Sequence, residues 1–513
     1  MPTHKSFRIL AVLFITSIIF SCQETAPEKE SLGEAKLEVT GAPEAIEHFD
    51  TGLLLLHSFE YEDARKAFQK AREIDPSMCM AYWGEAMTYN HPLWSQQEYD
   101  SATAVLDELE SKCNPSTELE SDLIESLKIL YHVDTEKVTR DSLYAEYYEK
   151  LSEKYPENED VKAFYALSVL GSVPGGRDPV KYAKAGKIAE EVVENHPNHP
   201  GGLHYLIHAY DDPKNAEKAL DAAYTYAEVA PAASHALHMP SHIFVAKGLW
   251  DEVVRSNEES YAASVARMKR QNLTNDARGY HSYHWLEYGY LQQGRVGDAK
   301  ELIKDLVSYV EETPSTRGRT HLVYLKGTFL AETMNYDSPV SDIEVEVEDL
   351  NISTKAKYYT SAGFDAFYSG NKDSINSLIT LLEQESKIAE LFLDTTDFKL
   401  CTTITRESPR RGDIDAAYVM IDQLKFLRER LSGNPQKAEK HIQSAIEKEL
   451  EVSYSYGPPA IQKPSTELYA DWLLEQSRAK EALNYYQKTL ERAPNRTWSV
   501  EAIRQLERRD LKS

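Results

Sequence analysis

Glycine and proline are scarce in this sequence, at 22 each among 513 residues, and cysteine occurs only four times. Sheet proteins with many tight turns use more glycine, whereas helices joined by short turns do not need it. Ala, Glu, Leu and Lys are abundant instead, and these residues have high helix propensity. We therefore predict an all-α fold.

Basic charge is also in short supply. The chain carries 83 acidic and 57 basic residues, for a formal net charge of -26. A chain this acidic repels nucleic acid and anionic lipid headgroups. We expect no nucleic-acid partner, and expect instead a cationic or neutral ligand, a metal ion, or a protein or peptide.

Several catalytic signatures are absent. The sequence has no CxxC zinc pattern, no HExxH spacing, no glycine-rich phosphate loop and no GxSxG elbow. The sequence therefore names no reaction, and it favours a binding protein over an enzyme.

The N-terminus resembles a lipoprotein signal peptide. Lys5 and Arg8 precede a mostly apolar run from Ile9 to Phe20, which is too short to span a bilayer, and Ser21 stands before Cys22. We predict that residues 1–21 are removed and that Cys22 is lipidated. The alternative is an ordinary secretory signal cleaved near Ser21.

The segment after the signal is polar, and we predict that residues 22–42 form a flexible tether. The lipid is then the only membrane attachment. Gln23 and Glu24 do not resemble the aspartate signal that retains lipoproteins in the inner membrane, which favours an anchor in the outer membrane of the cell envelope. The sequence does not decide the oligomeric state.

Three cysteines remain beyond Cys22, namely Cys79, Cys113 and Cys401. An odd number in an oxidising compartment leaves at least one free thiol or an intermolecular bond. Cys79 and Cys113 can pair if their helices adjoin, but nothing in the sequence requires it.

An internal repeat is visible at both ends of the chain. A tetratricopeptide (TPR) unit of about 34 residues has small residues at positions 8, 20 and 27, an aromatic residue at 24 and proline at 32. Two frames, starting at Ala45 and Lys463, fit well. The first places Gly52, Ala64, Phe68, Ala71 and Pro76 at these positions, and the second places Ala470, Ala482, Tyr486 and Pro494 at 8, 20, 24 and 32.

Further frames begin at Pro200, Ser234 and Tyr280. We predict a right-handed α-solenoid of TPR-type hairpins, with the first helix of each hairpin lining a concave groove. Residues 43–312 form a first array and 352–513 a second. Between them we predict an irregular acidic insertion at 313–351.

Histidine is concentrated in one part of the chain. Nine of the 16 histidines fall between His196 and His284. Seven of them occupy positions 2, 5 or 9 of the three frames above, on the helix face that looks into the groove. They are His204 and His208, then His235, His238 and His242, then His281 and His284.

Histidines four apart on a helix can bind one metal ion, so this cluster predicts a site for zinc, copper or nickel. Asp211 lies on the same face as a ligand or an orienting partner. A histidine in a groove also contacts peptides or caps helices. His196 and His199, which flank prolines, are better explained by turn formation or helix capping.

Two short blocks resemble a family of large bacterial TPR proteins. They are His199-Pro200-Gly201 with His204 to Ala209, and Ala230-Pro231 with His235-Ala236-Leu237-His238-Met239-Pro240-Ser241-His242-Ile243. Similarity extends to Ala81-Tyr82-Trp83-Gly84 and Tyr456-Gly457-Pro458-Pro459. The resemblance implies a repeat fold and a shared histidine-lined site, and no reaction. Asp211 stands where that family often has glutamate.

Two hypotheses of different kinds follow. The preferred one is a binding protein whose groove holds a metal ion through its histidines. The alternative is a membrane-tethered scaffold that binds a protein or peptide in the groove without metal. A metallohydrolase, with Asp211 or Asp212 as base, is a third possibility.

Overall fold

A computed structural model describes residues 31–394 and 408–510. The predicted signal peptide, the predicted lipidation site at Cys22 and the thiol of Cys401 lie outside these residues. Within them, no helix is both long enough and apolar enough to cross a membrane.

The described residues form an all-α array of TPR-type helical hairpins. Its first eight helices are α1 (Pro43–His57), α2 (Tyr61–Ile74), α3 (Cys79–Met87), α4 (Tyr99–Lys112), α5 (Glu118–Leu130), α6 (Lys137–Lys154), α7 (Glu159–Gly171) and α8 (Pro179–Asn195). The next eight are α9 (Pro200–Tyr210), α10 (Leu220–Val229), α11 (Ser234–His238), α12 (Pro240–Lys247), α13 (Trp250–Arg270), α14 (Tyr280–Gln292), α15 (Val296–Glu312) and α16 (Thr316–Thr333). The last seven are α17 (Ile352–Tyr368), α18 (Lys372–Asp394), α19 (Arg411–Leu431), α20 (Pro435–Glu451), α21 (Ser465–Glu475), α22 (Ala479–Arg492) and α23 (Thr497–Asp510).

The other regular elements in the described ranges are short. Three are 3-10 turns, at Pro92–Trp94, Ala216–Ala219 and Asn275–Ala277. The others are two short strands, β1 (Asn90–His91) and β2 (Gln96–Gln97), which pair antiparallel. Sheet therefore plays no part in forming the core.

The repeat positions pack as the sequence predicts. Phe68 is fully buried between Gly52 and Gly84, and a side chain at either glycine would overlap its ring. Ala470, Ala482 and Tyr486 are likewise buried in the last hairpin. Small residues at these positions let the two helices of a hairpin, and those of neighbouring hairpins, approach closely.

Residues 31–42, assigned from the sequence to a flexible tether, are packed against the array. Glu34 donates its backbone N–H to the carbonyl oxygen of Asn198 over 2.9 Å, and Leu37 is buried. The reason is that Leu37 offers apolar surface to bury in an otherwise polar segment. The tether prediction is therefore wrong for these residues.

The predicted irregular stretch at 313–351 is shorter in the structure, because α16 occupies most of its first half. The remainder packs its apolar side chains inward. In the acidic run, Val345 and Val347 are buried while Glu344, Glu346 and Glu348 are exposed. The buried apolar residues form two clusters, and the boundary between them lies at α13 and α14. On α13, Val253 belongs to the first cluster and Val254 to the second.

Cys79 and Cys113 form a disulfide with their Cα atoms 5.6 Å apart. Cys79 begins α3 and Cys113 caps the end of α4, so the bond joins the two helices of one hairpin. The structure thus settles the pairing that the sequence left open.

A buried charge network fixes the end of the array to its middle. Arg496 is fully buried just before α23. It forms a bidentate ion pair with Glu467 on α21, with N–O distances of 2.9 and 3.0 Å. Its other nitrogen contacts Glu332 on α16, and also Tyr288 on α14 at 3.3 Å. The network therefore joins four helices around one guanidinium group.

Replacing Arg496 with Met should lower stability strongly, because two buried carboxylates, Glu332 and Glu467, lose the guanidinium group that they share. The expected loss is about 3–5 kcal/mol, measured from the midpoint of urea unfolding. Arg478→Met is the control, since Arg478 pairs with Glu439 and Glu481 at the partly exposed surface and should cost no more than about 1 kcal/mol. Equal effects of the two substitutions would contradict the assigned role of Arg496.

Candidate metal centre

Three successive inner helical segments bring histidines together. Segment α9 contributes His204 and His208, α11 and α12 contribute His235, His238 and His242, and α14 contributes His281. Six of the seven histidines predicted for the groove therefore meet in one place. They fall into two groups, which we call the first triad and the second triad.

The middle segment is nearly continuous despite a proline. Met239, between α11 and α12, has helical backbone angles (φ -54°, ψ -36°). Pro240 lacks an N–H group, but its fixed φ suits the first turn of a helix. His235, His238 and His242 therefore stay on one helical face, three and four residues apart.

The first triad consists of His204, His208 and His235. The ring centres of His208 and His235 lie 4.9 and 5.0 Å from that of His204. The Nε2 atoms of His204 and His235 are 3.2 Å apart. The Nδ1–H of His204 donates to the carbonyl oxygen of His57 over 2.7 Å, which turns its Nε2 toward the other two rings.

The second triad consists of His238, His242 and His281. The ring of His238 lies 5.2 Å from that of His242 and 4.6 Å from that of His281. His238 shares a 2.7 Å hydrogen bond from Nδ1 with Oδ1 of Asn257. The amide nitrogen of Asn257 donates to the carbonyl oxygen of Val253, so its oxygen faces the imidazole.

Asp211 contacts one histidine of each triad. Its Oδ2 accepts a hydrogen bond from Nδ1 of His242 over 3.0 Å and lies 3.6 Å from Nδ1 of His208. Arg177 pairs with its other oxygen. Burial alone would raise the pKa of Asp211, but Arg177 and the two histidines outweigh it and hold the pKa far below its usual value. Asp211 is therefore an ionised orienting group.

His284, which the sequence placed in the same site, points elsewhere. Its Nε2 is 2.9 Å from Oγ1 of Thr328 on α16. His284 is at position 5 of its repeat, but position 9 holds Tyr288 where the two preceding repeats hold histidine. It therefore lacks the second imidazole that a triad needs, and the structure does not bring it together with the other six histidines.

A second buried cluster, of His57, Asp160 and His199, has no recognisable pattern in the sequence. Asp160 on α7 accepts a 2.9 Å hydrogen bond from Nε2 of His57 and lies 3.4 Å from Nε2 of His199. His57 also contacts the hydroxyl of Tyr205 at 3.0 Å. This group fixes the end of α1, whose carbonyl oxygen at His57 orients His204. Because His57 and Asp160 lie outside any shared repeat frame, spacing gives no signal for them.

His199 also confirms the capping role predicted for it. Its Nδ1 accepts the backbone N–H of Gly202 at the start of α9, over 3.1 Å. The capping bond fixes the direction in which α9 enters the site.

Aromatic rings pack against a histidine of each triad. Trp285 and Tyr456 stack on the ring of His242 at 4.6 and 4.8 Å. Phe59 meets His204 edge-on at 4.3 Å. Gly457, at φ +96°, lies so close to Trp285 that a side chain there would overlap the indole. The segment after α1, with Phe59, and the segment between α20 and α21, with Tyr456 and Gly457, thus pack against the histidine cluster.

Burial keeps four of these imidazoles neutral. Burial and then the charge of neighbouring histidines lower the pKa of His238 to about 3. Burial also lowers the pKa of His242 to about 4, against the effect of Asp211. Burial likewise lowers the pKa values of His204 and His235 well below the ordinary range. At neutral pH these rings therefore carry free lone pairs, which a metal ion requires.

Comparison with known proteins finds solved structures of low similarity to this chain. No family model and no curated protein matches the sequence. Among solved structures, the human IFIT1 dimer with m7Gppp-AAAA has a TM-score of 0.39 and 14% identity, over 92% of this chain and 96% of that chain. Cut9 in the APC/C Cut9–Hcn1 hetero-tetramer has a TM-score of 0.36 and 12% identity, over 92% and 78%. Yeast Tom70 has a TM-score of 0.25 and 11% identity, over 91% and 96%.

The metal-free protein should lose stability as the pH falls from 6.5 toward 4. Imidazoles of the unfolded chain take up protons near 6.5, whereas His238 and His242 do so only near 3 and 4 when folded. The unfolded state therefore binds more protons in this window, at about 1.4 kcal/mol per imidazole per pH unit.

The measurement is the Tm of the chelator-treated protein at several pH values. A His238→Gln/His242→Gln double variant should show a shallower fall, and a variant of the exposed His196 should follow the unsubstituted protein. Parallel curves for all three proteins would contradict the assignment.

Proposed function

We propose that this chain is a metal-binding protein whose inner TPR helices hold a divalent transition-metal ion, zinc, copper or nickel, through histidine. We further propose that it is an exported bacterial lipoprotein anchored by Cys22 in the outer membrane, of the family with the His-Met-Pro-Ser-His block. The Cys79–Cys113 disulfide supports export, because such bonds persist in oxidising compartments.

The observation that carries the metal proposal is the fixed orientation of three imidazoles. His204, His238 and His242 each donate from Nδ1 to an acceptor that cannot donate back, namely a carbonyl oxygen, an anchored amide oxygen and an ionised carboxylate. Their Nε2 atoms therefore keep the lone pair. Histidines that ligate metals are held by this kind of bond on the other ring nitrogen.

The spacing of the nitrogen atoms fits a metal ion. Ligands at about 2.0–2.1 Å from a tetrahedral zinc ion lie roughly 3.3–3.4 Å from one another. The Nε2 atoms of His204 and His235 are already 3.2 Å apart. The Nε2 atoms of His208 and His238 are buried without a hydrogen-bond partner among the described residues. Metal binding would satisfy nitrogen atoms whose isolation is otherwise costly.

The competing hypotheses fit this part of the surface less well. A peptide bound here would have to displace Phe59 and Tyr456 from the histidine rings. For hydrolysis, Asp211 is engaged on both oxygens, and Asp212 accepts from Asn215, Arg177 and the backbone of Lys214. Neither carboxylate is free to act as a base.

The test is metal binding by the untagged, chelator-treated protein. Addition of zinc should yield at least one tightly bound ion per chain by elemental analysis after desalting. Binding should also raise the Tm, since a ligand at a hundredfold excess over its Kd stabilises the folded state by about 2.7 kcal/mol.

A His208→Ala/His238→Ala double variant should lose tight binding, whereas His196→Ala should retain it because His196 is an exposed residue away from the triads. Far-UV circular dichroism of the metal-free variants checks that they fold. A folded unsubstituted protein that retains no zinc, copper or nickel would refute the proposal.

A further inference from the structure

The two triads are the same arrangement built twice by the repeat. His204 and His208 hold positions 5 and 9 of the repeat that begins at Pro200, and His235 holds position 2 of the next. His238 and His242 hold positions 5 and 9 of that next repeat, and His281 holds position 2 of the one after. Each triad thus combines a helical pair with one histidine from the following repeat.

Each triad is complete without the other. The ligand nitrogens within each lie within 4.8 Å of one another. Each also has its own buried Nε2 without a hydrogen-bond partner in the described residues, that of His208 in the first and that of His238 in the second. Six imidazoles exceed the four ligands that zinc usually accepts. A single four-coordinate ion would therefore leave at least two of them without a metal bond.

The triads are also adjacent. The ring of His208 lies 5.2 Å from that of His242, and the ring of His235 lies 6.1 Å from that of His238. Asp211 contacts one imidazole of each triad, His208 and His242. A change at one triad therefore reaches the other through a single carboxylate.

We infer that the triads hold two divalent metal ions side by side as one dinuclear centre, bridged by a hydroxide ion. This inference rests on the proposed metal-binding function and adds a second ion to it.

Three imidazoles leave a fourth position open on each ion. Imidazoles bind metal ions as neutral groups. Arg177 pairs with both Asp211 and Asp212, so these carboxylates offset only a small part of the charge of two dications, and an added anion is required. A water molecule that loses one proton to solvent supplies hydroxide, because metal ions lower the pKa of bound water.

The experiment loads the untagged chain with copper(II) and compares bound copper with the intensity of its electron paramagnetic resonance signal. We expect two tightly bound ions per chain and a signal well below the copper content, because a hydroxide bridge couples the two unpaired spins. Titration calorimetry with zinc should also give a stoichiometry of two.

Two matched variants separate the triads. His235 and His281 are the most exposed members of the first and second triads, so their removal is least disruptive to folding. His235→Ala and His281→Ala should each bind one ion tightly, with a signal that accounts for all the copper. His284→Ala is the control on α14, and it should keep two coupled ions because His284 bonds Thr328 outside both triads.

The outcomes distinguish this inference from the proposed function. One ion in the unsubstituted protein, lost in both His235→Ala and His281→Ala, would overturn the dinuclear centre and leave a single metal site. Two ions with full signal intensity would overturn the bridge. Failure to bind any ion would overturn the proposed function, and the inference with it.

Discussion

The close packing of neutral imidazoles on a buried surface is the constraint on which the rest of the centre depends. His204 and His235 bring their Nε2 atoms within 3.2 Å, a distance that two protonated rings would not tolerate. Burial makes protonation costly and therefore preserves the lone pairs. The structure supplies part of this burial by packing Phe59, Trp285 and Tyr456 against the rings, so the proposed metal binding depends on these aromatic contacts.

That enclosure requires distant parts of the chain to meet. Phe59 follows α1, whereas Tyr456 comes from the connection between α20 and α21. Arg496 contacts Tyr288 and Glu332 and so fixes the last hairpin against α14 and α16. Gly457 can approach Trp285 only because it lacks a side chain. The repeats at the end of the chain therefore complete a centre whose ligands all come from the middle.

The sequence predicted the helical repeats and most of the histidine cluster, because both follow from local spacing. Ala45 to Pro76 shows the pattern of a TPR unit, and the intervals of three and four residues place His235, His238 and His242 on one face. The contribution of His57 and Asp160 depends on α1 and α7 meeting α9, which no local pattern encodes. The tether prediction failed because Leu37 packs against helices distant in sequence. His284 has the register of a groove residue, but position 9 of its repeat is Tyr288, so no second imidazole accompanies it.

The fold explains why a repeat protein suits such a centre. A hairpin array places equivalent positions of successive repeats beside one another, so a ligand pair that recurs in two repeats forms a row of ligands. Here the row ends where position 9 changes from His242 to Tyr288. The tyrosine at this repeat position, Tyr288, accepts a hydrogen bond from Arg496 at its hydroxyl oxygen over 3.3 Å. Position 9 thus carries a histidine of a triad in two hairpins and a structural contact in the third, and this change limits the cluster to two triads.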